Sequence, residues 1–292
     1  MPSKPAGDDR TRDFYERQGW RVDATGRLAD ETLFGARTDN DGPIQRRAHE
    51  RRFAGIREHL APSGAVDRLL EVGCGGNPEP NVVALADDYT GVDFSSTGLE
   101  AANLRLDKLA ELRADDRPLT HRTRQADACE LPFDDASFDA LYSAHMLYHM
   151  SDADAQARAI AEMGRVLRPG GRLLLVLANP RPILWPGRLA KRLLADTPVV
   201  SGLLRRVRSK NKSPLPYQPM RIGWNLRRLR DAGIGTPECI AYRMASTETM
   251  QTLGEKGAIS RGLWSAMEWL ERDHPHLAAR LGTYVTLRGV KA

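Results

Sequence analysis

Three acidic residues, Glu71, Asp93 and Asp127, stand where predicted strands end, and a glycine-rich turn at residues 73–76 follows the first of them. Glycines let a backbone turn tightly and let a ligand approach it closely. Asp93 follows Glu71 by 22 residues, at the end of the next predicted strand, where a carboxylate can accept hydrogen bonds from ribose hydroxyls. Because the carboxyl ends of parallel strands meet at one edge of a sheet, the three acids should line one crevice. The pattern predicts a nucleoside-binding site.

The same turn indicates the charge of the ligand. A dinucleotide fingerprint reads G-x-G-x-x-G, whereas residues 73–78 read G-C-G-G-N-P and lack the last glycine. Glu71 would also repel a pyrophosphate, since both are negatively charged. A cationic nucleoside is therefore favoured. S-adenosylmethionine (SAM) fits this description, because it has an adenosine, a sulfonium and an ammonium but no phosphate.

Two histidines, His145 and His149, lie four residues apart in the stretch S-A-H-M-L-Y-H-M-S-D. Histidine can deprotonate a hydroxyl or an amine near neutral pH, as methyl transfer to oxygen or nitrogen can require. Both are therefore candidate catalytic residues. The alternative is that residues 146–149 pack the start of the next helix. Methyl transfer depends heavily on the alignment of nucleophile, methyl group and sulfur, so a dedicated base is not obligatory.

Strands and helices that alternate along the chain must position these residues. Short apolar runs predict strands at 68–73, 89–94, 121–127, 138–145, 171–179, 238–244 and 282–290. Helical periodicity predicts helices at 46–60, 96–114, 152–167 and 222–234, the third ended by the Arg-Pro-Gly-Gly turn at 168–171. Alternating strands and helices indicate an α/β fold, with a parallel sheet covered by helices on both faces.

The composition is that of a folded globular protein, with 292 residues, 41% hydrophobic and 28% charged. The polar start of the chain and the absence of an apolar run of about 18 residues predict neither a signal peptide nor a membrane span. The three cysteines are odd in number and lack metal-binding spacing. We therefore expect a reduced, cytoplasmic protein without a metal site.

Positive charge is concentrated in one segment. Residues 181–213 contain nine basic residues and one acidic residue, whereas the whole chain has a net charge of +5. Leucine, isoleucine, valine and tryptophan are interleaved with this charge, so a lid over a hydrophobic or acidic small molecule is one interpretation of the segment. A surface that contacts a membrane or a nucleic acid, and a solvated basic loop, remain alternatives. We find no RNA-binding module in the sequence.

Four segments, in order, resemble motifs of the class I SAM-dependent methyltransferases: E-V-G-C-G-G-N (71–77), G-V-D-F-S (91–95), A-D-A-C-E-L-P-F-D-D-A-S-F-D (126–139) and R-V-L-R-P-G-G-R-L-L-L (165–175). The resemblance covers about residues 65–180. It departs from the family at Asn77-Pro78, where a third glycine is common. It implies a Rossmann-like fold with a seven-stranded, mostly parallel sheet whose last strand is antiparallel, a helical N-terminal cap and an insertion after strand five.

The resemblance also implies a role for each matched residue. Glu71 should orient the loop and interact with the SAM ammonium. Gly73 and Gly75 should pack beneath the methionine part of the cofactor. Asp93 should bind the ribose, with Phe94 beside the adenine.

Further contacts are implied around the adenine and the sulfonium. Asp127 and the Ala128 backbone should read the adenine edge. Tyr15 is a candidate contact because the N-terminal region often covers SAM in this family. Residues 143–145 should face the sulfonium and the acceptor. The expected cofactor-binding set is completed by Ser143, Ala144, Cys74, Asn77 and Cys129, of which the two cysteines are expected to be small loop-filling residues and not nucleophiles.

The predicted organisation is a flexible N-terminus (1–13), a helical cap (14–64) and a SAM-binding domain (65–292) with insertions at 180–220 and 247–281. The expected reaction is methyl transfer from SAM to a small-molecule acceptor, with release of S-adenosylhomocysteine (SAH). Oxygen is the preferred acceptor atom, in natural-product, sugar or lipid-linked biosynthesis.

Three alternatives to this function remain open. An RNA or protein methyltransferase is favoured by the basic segment, but the sequence lacks an acceptor motif such as Asn-Pro-Pro-Tyr at the end of strand four. A non-catalytic SAM-binding protein is the second alternative. A nicotinamide-dependent oxidoreductase is the third, and Glu71 and the missing glycine disfavour it. The sequence does not indicate an oligomeric state.

Overall fold

The structure is a computed structural model that describes residues 13–16, 43–113, 117–182, 217–245 and 257–292. Parts of the predicted organisation lie outside the described residues, namely 1–12, residues 17–42 of the cap, residues 183–216 of the basic insertion and residues 247–256 of the second insertion. None of the helices in the described ranges combines the length and the apolar content that crossing a bilayer would require.

One seven-stranded sheet organises the molecule, in the order β3-β2-β1-β4-β5-β7-β6. Its strands are β1 Val66–Val72, β2 Ala86–Asp93, β3 Thr120–Gln125, β4 Phe138–Ala144, β5 Leu167–Ala178, β6 Ile234–Arg243 and β7 Tyr284–Lys291. The first five strands pair in parallel, and β7 is antiparallel to both β5 and β6. The predicted fold class, including the antiparallel last strand, is confirmed.

Helices cover both faces of this sheet. Those in the described part of the chain are α1 Pro43–Leu60, α2 Pro80–Val83, α3 Ser96–Leu112, α4 Ala153–Val166, α5 Ile222–Asp231, α6 Ala258–Asp273 and α7 Pro275–Leu281, and a short 3-10 turn spans Leu147–His149. Two side chains show why the helices begin where they do. Ser95 Oγ accepts a hydrogen bond from Gly98 N at the start of α3, and Asp152 Oδ1 accepts one from Ala155 N at the start of α4.

Alternating side chains of the central strands bury both faces of the sheet. Leu69 packs in the cluster beneath α1 and α3, with Phe53, Leu106 and Leu174. Its neighbour Leu70 packs in the opposite cluster, beneath α4 and α5. Successive side chains of a strand point to opposite faces, so a continuous apolar run is what a sheet covered on both sides requires. Full burial of each such leucine contributes about 1.5–3 kcal/mol.

One predicted turn is incorporated into a strand. The Arg-Pro-Gly-Gly stretch was expected to separate a helix from a strand beginning at residue 171, but β5 already begins at Leu167. Phe138 pairs with Leu167, and the next pairing joins Ala140 to Arg172, so residues 168–171 form a bulge. Gly170 has φ +76°, a conformation that glycine adopts readily. Pairing with β4 therefore continues across the turn.

The strand order places a crevice at the carboxyl ends of β1 and β4. Chain connections lead outwards in opposite directions from these two neighbouring strands, through β2 and β3 on one side and through β5 on the other. In open α/β sheets, ligands bind at the carboxyl ends of strands at such a switch point. The glycine-rich turn follows β1, and His145 follows β4, so the topology brings the two groups of candidate residues together.

Candidate active site

Asp93 ties the glycine-rich turn to the start of α3. Its Oδ2 accepts a hydrogen bond from Gly75 N and its Oδ1 accepts one from Ser95 N, both at 2.9 Å. The side chain is buried, and this burial raises its pKa to about 6 although the hydrogen bonds from Ser95 and Gly75 act in the opposite direction. Donors from a ligand would stabilise the charged carboxylate further.

Glu71 is a buried acid beneath the same loop. Its Oε2 accepts a hydrogen bond from Tyr89 Oη at 2.7 Å and a longer one from Glu79 N at 3.4 Å. Burial raises the pKa of Glu71 to about 8, the Tyr89 hydrogen bond opposes this shift, and the charges of Glu79 and Asp93 add to it. No ion pair joins Glu71 to a basic residue in the described ranges. A ligand cation beside it would favour the ionised form.

Gly73 brings the loop against the end of β4. Its nitrogen donates to Val92 O at 2.8 Å, and its φ of +78° belongs to the left-handed region. A Cβ built at this position would lie 2.6 Å from Cγ of Met146, the residue that follows His145. Gly75 also has a positive φ, of +53°. The loop therefore has little room for side chains and leaves its backbone open to close approach by a ligand.

Replacing Gly73 by alanine should lower the free energy of unfolding by about 1–3 kcal/mol, because of the strained φ and the contact with Met146. Urea denaturation measures this change. Gly262→Ala is the matched control, since Gly262 lies within α6 with no heavy atom within 4 Å of a built Cβ. It should stabilise the protein by about 0.5–1 kcal/mol. Equal stabilities of wild type and Gly73→Ala would show that the loop geometry is not as described.

Cys74 and Asn77, the other two loop residues expected to bind the cofactor, have different environments. Cys74 is buried, and its Sγ packs against Gly91 of β2, where a built Cβ would approach it to 2.9 Å. Burial raises the pKa of the Cys74 thiol well above its usual value. Asn77 is exposed, and its Oδ1 accepts a hydrogen bond from Arg105 of α3. Cys74 thus fills space beneath the loop, and Asn77 links the loop to α3.

The segment after β3 lies beside Asp93. Ala126 N donates to Asp93 O at 3.0 Å, which fixes the start of this segment. Asp127 Oδ1 accepts a hydrogen bond from Cys129 N at 2.9 Å, forming a local turn, and Ala128 packs on the core. Cys129 Sγ donates to Ala155 O at 3.3 Å, and burial raises its pKa to about 11. A thiol with this pKa is protonated near neutral pH and is a poor nucleophile.

A short piece of the N-terminal region docks at the end of β2. The ring centroids of Tyr15 and Phe94 are 6.1 Å apart, in an edge-to-face arrangement. The neighbouring Glu16 accepts hydrogen bonds from Thr97 Oγ1 at 2.7 Å and from Ser96 N at 2.8 Å, at the N-terminus of α3. A carboxylate is favoured at a helix N-terminus. Partial burial raises the pKa of Glu16, but the hydrogen bonds from Thr97 and Ser96 lower it overall.

His145 follows β4 in a strained backbone conformation. Its φ is +59°, and its nitrogen donates to Val176 O of β5 at 3.0 Å. Such conformations in non-glycine residues cost about 1–3 kcal/mol and occur preferentially at functional sites. The ring Nδ1 lies 2.8 Å from Tyr148 Oη. Burial lowers the pKa of His145 to about 3, with further lowering by the charges of Arg243 and His149, so the imidazole is neutral near pH 7.

Tyrosines surround His145. The ring centroids of Tyr284 and Tyr242 lie 5.0 and 6.0 Å from that of His145, and Tyr217 lies 5.5 Å from Tyr148. We call these four tyrosines and His145 the aromatic group. The other candidate catalytic histidine, His149, has its ring centroid 4.5 Å from that of Tyr148. Ser143 and Ala144 end β4 directly before His145, and Ser143 is buried.

Most of the aromatic group could not be predicted from the sequence. Tyr148 was expected only to pack, and Tyr242 and Tyr284 stand on β6 and β7, far from any motif. Arg243 pairs with Tyr284 directly after a register shift between β6 and β7, and Arg243 Cζ lies 5.0 Å from the Tyr284 ring centroid. No local signal in the sequence indicates that these strands meet beside β4. Glu16 could not be predicted either, because its partners Ser96 and Thr97 are distant from it in the sequence.

Taken together, the crevice suits a cationic nucleoside. Glu71, Asp93 and Asp127 supply carboxylates at three neighbouring strand ends, while Gly73 and Gly75 leave the backbone of the loop accessible. The aromatic group adjoins the loop through Met146, which follows His145 and lies against Gly73. A pyrophosphate would meet the buried acids, so the residues fit SAM better than a dinucleotide.

Comparisons with known proteins agree with this geometry. The family model described as "Methyltransferase domain" matches residues 70–175. Methyltransferase GfsG of Streptomyces halstedii is 32% identical over 227 residues, which cover 75% of each chain. The chain belongs to the SAM-dependent methyltransferases. A 27-O-demethylrifamycin SV methyltransferase of Amycolatopsis mediterranei is 43% identical over 119 residues. The chain spans only 40% of the length of that relative.

A solved methyltransferase structure shows the same fold. Phosphoethanolamine N-methyltransferase 2 of Haemonchus contortus, in complex with phosphomonomethylethanolamine and SAH, superposes with a TM-score of 0.54 at 20% identity. The superposition covers 96% of this chain and 59% of that one. At this level of identity the likeness concerns the arrangement of strands and helices.

Proposed function

We propose that this methyltransferase transfers a methyl group from SAM to a hydroxyl oxygen of a small-molecule acceptor and releases SAH. The observation that carries the proposal is the position of a neutral, strained His145 directly beyond the glycine-rich loop, within the aromatic group. The names of relatives support it: one is a 27-O-demethylrifamycin SV methyltransferase, and others are named O-methyltransferases. Hydroxylated natural products are accordingly the first acceptors to examine.

The chain's own residues would hold the cofactor in defined ways. Asp93 would accept hydrogen bonds from ribose hydroxyls, and Glu71 would compensate the ammonium group. Asp127 and the backbone of Ala128 would face the adenine edge, with Phe94 and Tyr15 beside the ring. When bound, SAM supplies an electrophilic methyl group on a positively charged sulfur.

His145 would orient the acceptor. Because Nδ1 is engaged with Tyr148 Oη, the second ring nitrogen, Nε2, is the one available to accept the acceptor's hydroxyl proton. This requires the tautomer in which Nδ1 carries hydrogen and donates to Tyr148. With a pKa near 3, His145 is a weak base, so its main contribution is to align the hydroxyl oxygen and to receive the proton as it is released. The tyrosine rings of the aromatic group would exclude water from the space around the acceptor hydroxyl.

Binding of SAH should release close to one proton at pH 7. In the protein without ligand, Glu71 has a pKa of about 8 and is mostly protonated at this pH. An ammonium group beside it would favour the carboxylate. Calorimetric titrations in buffers of different ionisation enthalpy measure proton release directly. Glu71→Gln should abolish the release, since an amide does not titrate. Equal release by wild type and Glu71→Gln would contradict the assignment of Glu71 to the ammonium.

Methyl-labelled SAM tests the proposed reaction. Wild type would be incubated with hydroxylated polyketides, glycosides and lipid-linked alcohols, each beside an analogue in which the hydroxyl is removed or replaced by an amine. We expect label in an O-methyl product of a hydroxylated compound and none in its deoxy analogue. Labelling of RNA or protein with no small-molecule product would favour the macromolecular alternative. Transfer to the amine analogue alone would show that nitrogen, not oxygen, is the acceptor.

A further inference from the structure

A cavity of about 120 Å³ lies between α1 and the β5–β7–β6 side of the sheet. Arg51 and Arg52 of α1 line one wall, and Leu174 and Thr286, in the middle of β5 and β7, line the opposite wall. An apolar cavity of about 150 Å³ can hold benzene, so this somewhat smaller space is of the size that a compact anion such as phosphate occupies. The groups that would hold SAM do not line it.

Arginines dominate the charge of this cavity. Arg51, Arg52 and Arg288 line it together with one carboxylate, that of Glu271. Two of the arginines have close carboxylate partners outside the lining: Arg51 Nη1 donates to Glu268 Oε1 at 2.8 Å, and Arg288 Nε donates to Glu238 Oε1 at 2.6 Å. The charges of these two side chains are therefore compensated by the protein.

Arg52 is the exception. It forms no hydrogen bond or ion pair with any residue in the described ranges, and its Nε is buried without an acceptor. Its Cζ lies 5.6 Å from the ring centroid of Tyr242. Burial lowers the pKa of Arg52, and electrostatic interactions with Tyr242 and Glu271 only partly oppose this effect. A buried Nε–H without an acceptor is unfavourable, and an anion bound beside Arg52 would supply that acceptor.

Hydroxyl groups complete a set of donors. The side chains of Val285 and Leu287 pack in the core beneath α4 and α5, so Thr286 between them points to the opposite face, where the cavity lies. Tyr242 also lines the cavity and brings a phenolic hydroxyl that burial keeps protonated by raising its pKa. A guanidinium fork with neighbouring hydroxyls matches the oxygens of a carboxylate or a phosphate.

We propose that this cavity is a second ligand site, in which Arg52 binds the carboxylate or phosphate group of a small anion. The site is separate from the cofactor crevice and does not depend on the acceptor assigned above. Tyr242 belongs both to this cavity and to the aromatic group beside His145. An anion bound at Arg52 would therefore lie beside a member of the aromatic group.

The test is a titration of the full chain with inorganic phosphate and, separately, with succinate, each at ionic strength matched with sodium chloride. Binding is followed by calorimetry and by the melting temperature. Wild type should bind at least one of the two anions saturably, and Arg52→Gln should bind it at least ten-fold more weakly. Arg46→Gln, at an exposed position of the same helix, should bind like wild type.

Arg52→Lys provides a second variant, because it keeps the charge but loses the planar fork. Its affinity should fall between those of wild type and Arg52→Gln. SAH binding should be the same in all four proteins, which shows that they are folded. Equal anion affinity in wild type and Arg52→Gln, or no saturable binding beyond that of sodium chloride, would overturn the proposal. A preference for succinate or for phosphate identifies which anionic group the site takes.

Discussion

Replacing Asp93 by asparagine should weaken SAH binding by about 100-fold or more. Its two carboxylate oxygens already hold Gly75 N and Ser95 N, so the variant loses the organisation of the loop as well as the charged acceptor for the ribose. Each hydrogen bond to a charged group contributes about 1.5–3 kcal/mol, and two of them account for a loss of this size. Titration calorimetry with SAH measures the change.

Asp87→Asn is the control for this prediction. Asp87 stands near the start of the same strand, with its carboxylate partly exposed and paired with Arg117. SAH affinity should therefore be unaffected. If Asp93→Asn and Asp87→Asn bound SAH equally well, the nucleoside would not lie at the carboxyl end of β2.

Replacing His145 by asparagine should lower kcat about 100-fold, within the range attributed to a positioned proton acceptor. Asparagine tolerates the positive φ of this position, so the variant removes the imidazole with little change in the backbone. SAH affinity should change less than three-fold, because in the proposed function His145 contacts the acceptor and not the cofactor. Steady-state kinetics with the acceptor found by labelling would provide the measurement.

The pH dependence of kcat tests whether the His145 imidazole is neutral. A His145 pKa of about 3 keeps the imidazole neutral from pH 5 upwards, so wild-type activity should show no limb near pH 6.5 arising from this residue. Tyr148→Phe removes the hydrogen bond to Nδ1 and should reduce kcat less than His145→Asn does. A wild-type limb near pH 6.5 that disappears in His145→Asn would contradict the neutral imidazole.

The fold could be predicted because its signals are local. The buried strands are short apolar runs, Ser95 marks the start of α3, and the glycine-rich turn follows β1 directly. The structure differs from the prediction where strand pairing, and not the local sequence, determines the backbone conformation. The stretch at 168–171 looks like a turn in isolation, but pairing with β4 turns it into a bulge of β5.

The candidate site also contains residues that could be predicted from the local sequence and residues that could not. Glu71 and Asp93 follow from their spacing, because they sit at the ends of consecutive strands. Tyr242 and Tyr284 could not be found from the sequence, since only the antiparallel pairing of β6 and β7 brings them to His145. The left-handed backbone of His145 also has no signature in its neighbours, because residues of many kinds follow β-strands.

A calorimetric titration of the wild-type chain with SAH, and in parallel with NAD, tests the central claim most directly. We expect saturable binding of one SAH per chain and no measurable binding of NAD. Folded protein that fails to bind SAH, or that binds NAD through Asp93, would contradict the assignment of the strand-end crevice to the SAM nucleoside.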